Sequence, residues 1–143
     1  MTKTKTIELC NKITGGLSNE SKMPSKSISL PAKRCHVGQV LAQVEGTVCE
    51  KCYADNRGHY QYPVVREAQE RRYKLLYHPL WVVAMTMLLW LQVKEFFRWQ
   101  GSGDLDSVKH LQNIVEVCVN TPHLKHWMPT KEKGILKEFL RNG

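Results

Sequence analysis

No apolar run in this chain is long enough to cross a bilayer. The longest strongly apolar stretch, LWVVAMTMLLWL at residues 80–91, would rise roughly 18 Å as a helix, well short of a hydrocarbon core. A buried helix is expected there, and no membrane span anywhere. The first residues, MTKTKTIELCNK, lack the apolar core of a secretory signal, so export is not expected. Internal repeats and low-complexity tracts are absent as well. Acidic residues are in short supply: 13 Asp and Glu against 21 Lys and Arg give a net charge of +8. Residues 1–34 alone carry seven Lys and Arg against two Glu. A basic balance suits nucleic acid, anionic substrates or an acidic partner protein, and selects none of them.

What is present reads as one globular domain. A chain of 143 residues with 42% apolar and 24% charged residues can bury a real core and is too short for two comfortable ones. Residues 1–26 are polar, interrupted by Gly15, Gly16 and Pro24, and read as a loosely structured lead-in to a single α/β domain at 27–143. In KSISLPA, Ile28 and Leu30 alternate with Ser27 and Ser29, a short strand stopped by Pro31. Residues 32–59 show no sustained helical period. From Pro63 a helical pattern starts, with an apolar stripe through Val64, Ala68 and Leu75. His78-Pro79 breaks it, and a helix over about 79–93, apolar nearly all round, should be covered on most sides.

The remainder alternates. EFFRWQ reads as a strand, and Asp104 or Asp106 can cap a helix whose face runs through Val108, Leu111, Val115 and Cys118. LKHWM is a third strand, and KEKGILKEFLRN closes as an amphipathic helix with Ile135, Leu136, Phe139 and Leu140 inward. Alternation of this kind favours parallel strands with helical crossovers. The expected fold is a small incomplete (β/α) barrel or an open parallel sheet, with a cysteine-bearing loop after the first strand.

Five cysteines in a chain with no export signal argue for metal or redox chemistry over a disulfide framework. Cys35, Cys49 and Cys52 are spaced C-x13-C-x2-C. The C-x2-C half lets two thiolates reach one metal or cluster from a tight turn. A structural zinc needs four ligands, so His36 or His59 would have to supply the last. An iron–sulfur cubane on three thiolates would leave one iron open to another ligand. The bland alternative is that these are small buried apolar side chains. Cys118 falls on an apolar helix face, where core packing competes with a role as fourth ligand. Cys10 reads as an incidental thiol, and His78, His110, His123 and His126 as surface residues.

Taken in order, KMPSKSISLPA, a cysteine, CEKCYA, FRWQGSGD and WMPTK resemble the bacteriophage gene product 88 family. The likeness runs from about Lys22 to Lys131. More distantly the chain is similar to radical S-adenosylmethionine-type barrels. The resemblance implies a 4Fe–4S cluster on Cys35, Cys49 and Cys52, with Ser102, Gly103 and Asp104 nearby. It further implies action in the cytoplasm of an infected host cell, with an electron donor or host protein as partner.

The chain departs from the barrel enzymes in its thirteen-residue first cysteine gap. It also has no clear Gly-Gly-Glu segment unless GSGD replaces it. GSGD reads equally well as a turn and helix cap. Two function classes follow: an iron–sulfur protein with a redox or sensing role, extending to radical S-adenosylmethionine-like chemistry, and a zinc-stabilised basic module that binds nucleic acid or another protein. Whether the protein is an enzyme stays open at this level.

Overall fold

Among the described residues, three short strands run parallel in the order in which they occur in the chain. The computed structural model describes residues 2–18, 26–31, 62–101 and 103–142. In it β1 is Ser27–Ile28, β2 is Phe96–Trp99 and β3 is Lys125–Trp127, with β2 in the centre. Ser27 and Ile28 stand opposite Arg98 and Trp99, and Phe96, Phe97 and Arg98 opposite Lys125, His126 and Trp127. Ser18 pairs antiparallel with Ser27 on the outer side of β1.

Five helices accompany the strands among the described residues: α1 Lys3–Thr14, α2 Pro63–Leu75, α3 Trp81–Gln92, α4 Val108–Asn120 and α5 Lys133–Asn142. Local chemistry explains their ends. The Thr2 side chain caps α1 by accepting from the Lys5 N–H, and Gly15 closes it at φ 88°, a left-handed position suited to glycine. Pro63 opens α2, where its missing N–H costs nothing. Ser107 caps α4 by accepting from the His110 N–H.

The helices pack in succession, α1 on α3, α3 on α4 and α4 on α5, and the core lies between them and one face of the sheet. On β2, Trp99 meets Trp81 of α3 with ring centroids 6.2 Å apart, and Phe97 packs edge-on against Trp99 at 4.9 Å. Ile28, Leu88, Leu89, Ile114 and Val117 complete this layer. Each such side chain removed from water contributes about 1.5–3 kcal/mol. The chain is thus a mixed α/β protein with an open parallel sheet, as its alternation implied.

Several local expectations are corrected. Residues 3–14 are a helix and not a loose lead-in, because Ile7, Cys10 and Ile13 form a narrow apolar stripe against the core. In α2 the buried positions are Gln69 and Arg72, while Val64 is 72% exposed. The Arg72 Nε donates to the Gly16 carbonyl at 2.8 Å and Nη1 to the Ser29 carbonyl at 3.3 Å. Burial there follows hydrogen bonding, which an apolar pattern does not encode. Helix α3 is covered on most sides, as expected, but leaves one stripe, Val83, Met87 and Trp90, exposed. Leu140 of α5 points to water. His110 is buried, with Nδ1 accepting from the Asp106 N–H at 3.1 Å.

Candidate functional site at the carboxyl-terminal edge of the sheet

Parallel strands deliver the loops that follow them to one edge, and such edges build sites. Here that edge gathers Ser29–Pro31 after β1, the loop from Gln100 to Asp106 after β2, and Met128–Lys131 after β3. The loops are tied directly to one another. Asp104 accepts from the Leu105 N–H and, across to the third loop, from the Lys131 N–H, both at 2.7 Å. Its Oδ1 also accepts from the Thr130 hydroxyl. Hydrogen bonds to a carboxylate are stronger than neutral ones, so Asp104 clamps the loops after β2 and β3.

Gly103 makes the second tie. It lies at φ 77°, and a Cβ there would come within 2.7 Å of the Leu30 Cβ and 2.8 Å of the Leu30 carbonyl oxygen. Only a residue without a side chain lets the loop after β2 press on the end of β1. GSGD therefore contributes a close approach and a clamp, and the cap of α4 falls to Ser107 instead of Asp104 or Asp106. Asp106 accepts from the hydroxyls of Tyr73 and Tyr77. Burial, then the hydrogen bond to Asp106, pushes the Tyr77 hydroxyl up to about 12.

Between β2 and Gly103 stands a residue that sequence reasoning passed over. Gln100 has φ 53°, is 2% exposed, and neither end of its carboxamide has a hydrogen-bond partner among the described residues. A buried amide left without partners is costly, and left-handed backbone is unusual outside glycine. The only hint in the sequence is its place between the strand and GSGD.

Cys35, Cys49, Cys52 and Ser102 lie outside the described residues. The cysteine-bearing segment leaves the rim after Pro31 and rejoins the described chain at Tyr62. Gly103 and Asp104 do stand together at the rim. Cys118 does not join them: α4 starts at the rim with Ser107, and Cys118 sits about 16 Å further along the helix axis. There it packs against the core, and burial pushes its thiol up, offset in part by the Trp99 indole. Cys10 is buried in α1. Among the described residues no group of three or more His, Cys, Asp and Glu could hold a metal. Nor is any helix among them long and apolar enough to cross a membrane.

These features define a small α/β protein with a clamped loop rim at the carboxyl-terminal edge of its sheet. The family described as Gene product 88 matches residues 2–143, and the chain belongs to that bacteriophage family. The match extends beyond the 22–131 stretch that carries the sequence likeness. No curated protein and no solved structure matches the chain.

Proposed function

We propose that this protein is an iron–sulfur protein, holding a 4Fe–4S cluster on Cys35, Cys49 and Cys52 for redox or sensing. It would work in the cytoplasm of the infected cell beside an electron donor or host protein. The observation that most supports this is the clamped rim. The segment bearing all three thiols departs from it, and Gly103 and Asp104 make its floor rigid. The donor set suits the group: thiolates are the usual ligands of such clusters. When bound, the cluster would supply one-electron transfer. The chain's own residues would hold it, fix its surroundings and limit its contact with water. We take the sheet, with α3, α4 and α5 packed in sequence, as part of an incomplete (β/α) barrel.

Radical S-adenosylmethionine chemistry is the less favoured form of this reading. It would need a clasp for the methionine amino group, and Asp104 already accepts from Leu105, Thr130 and Lys131. Zinc in place of the cluster is the rival, with the metal serving as a staple for a small core. Replacing Cys49 with Ser separates the two. A protein that keeps its far-ultraviolet dichroism and loses its colour supports a functional cluster. A colourless parent whose Cys49→Ser variant unfolds supports the staple.

A further inference from the structure

The face of the sheet turned away from the core carries two cation–aromatic pairs. Partnered residues of a parallel ladder project to the same side, which puts Phe96 with Lys125 and Arg98 with Trp127. Their contacts agree: the Lys125 Nζ is 5.4 Å from the Phe96 ring centroid, and the Arg98 guanidinium carbon is 4.7 Å from that of Trp127. The intervening Phe97, Trp99 and His126 project to the core side. Trp127 nevertheless stays 60% exposed and Phe96 45%. Phe96 and Trp127 are diagonal neighbours on adjoining strands, about 8 Å apart by strand geometry. Among the described strand residues this face has no carboxylate.

We propose that this face binds single-stranded nucleic acid, with Phe96 and Trp127 stacking on bases and Arg98 and Lys125 meeting phosphates. Exposed aromatic platforms interleaved with cations are how non-sequence-specific single-strand sites work, since every base offers a π face. Aromatic residues and Arg also suit a protein partner, but the interleaved Lys125 and the net charge of +8 favour nucleic acid. A duplex fits poorly because its base faces are already stacked. The chain's net charge of +8 gives the long-range attraction. This inference stands apart from the cluster, which can be assayed by colour in the same samples.

The test is fluorescence anisotropy of a short labelled oligothymidylate and of a duplex of equal length, at low and at physiological salt. The full-length protein is compared with Trp127→Ala, Trp127→Tyr, Arg98→Ala/Lys125→Ala, and Lys109→Ala/Lys137→Ala, which removes two exposed helix charges. The single strand should bind more tightly than the duplex and quench tryptophan emission. Trp127→Ala should weaken binding about tenfold, whereas Trp127→Tyr keeps most of the affinity. The Arg98/Lys125 pair variant should bind more weakly and with a shallower salt dependence, and the helix variant should stay near wild type. Four results would each overturn the proposal: no binding at low salt, equal binding of the duplex, wild-type affinity in Trp127→Ala, or equal losses from the two charge-pair variants.

Discussion

The carboxylate of Asp104, in the loop after β2, accepts the backbone N–H of Lys131, in the loop after β3, at 2.7 Å. This contact joins two segments that are 26 residues apart at their nearest bonded pair, Asp104 and Thr130. Replacing Asp104 with Ala leaves the Leu105 and Lys131 amides and the Thr130 hydroxyl without their acceptor. The expected cost is about 3 kcal/mol, read from urea unfolding midpoints. Asp104→Asn keeps one acceptor oxygen and should cost clearly less.

Glycines at two sites should respond in opposite directions. Gly103→Ala sets a Cβ against Leu30 in left-handed backbone and should destabilise by more than about 1 kcal/mol. Gly134 lies in α5, and a Cβ added there would meet nothing within 4 Å. Gly134→Ala should therefore stabilise by about 0.5–1 kcal/mol. Thermal melting of the two variants against the parent distinguishes them.

Burial pushes His110 down to about 4, with the Asp106 carboxylate opposing the shift. Its unfolded-state value is the ordinary one near 6.5, so below that pH the unfolded chain takes up a proton that the folded chain refuses. Stability from this group is full above about 6.5 and falls as the pH drops toward about 4, by about 3 kcal/mol in total. His126 is pushed down as well, chiefly by burial, and acts with the same sign. In His110→Gln the acid slope should be shallower, as measured by urea midpoints across that range. An unchanged slope would place the acid sensitivity elsewhere.

Cys118 has a raised thiol pKa and packs against the core, away from the rim. Under the proposed cluster, Cys118→Ala should match the parent in iron content and absorption spectrum, with a modest loss of stability. Loss of iron would make Cys118 a ligand after all.

Much of this fold was legible because its signals are local. Pro63 marks a helix start, and FFRW and KHW mark strands through aromatic and alternating residues. The cap of α4 reads as Asp104 or Asp106 in the sequence and falls to Ser107 in the fold. Helix α1 was hidden because its lysines and threonines dilute three apolar positions, although Thr2 and Gly15 bound it in the sequence. The burial of Arg72 and of His110, the latter read as a surface residue, was hidden for a common reason. Burial of a polar side chain depends on partners remote in sequence, here the Gly16 and Ser29 carbonyls, or on a backbone N–H that no pattern of apolar residues records. At the rim, the GSGD motif could be singled out, but its division of labour could not. The nearness of Leu30 to Gly103 and of Thr130 to Asp104 exists only once the three strands align.

The most direct test of the proposed cluster is iron, acid-labile sulfide and zinc analysis of anaerobically purified protein, with an absorption spectrum of the same sample. A broad band near roughly 400 nm, with about four irons and four sulfides per chain, is the result expected of a thiolate-held cubane. About one zinc per chain without sulfide would contradict it and make the cysteine segment a zinc site.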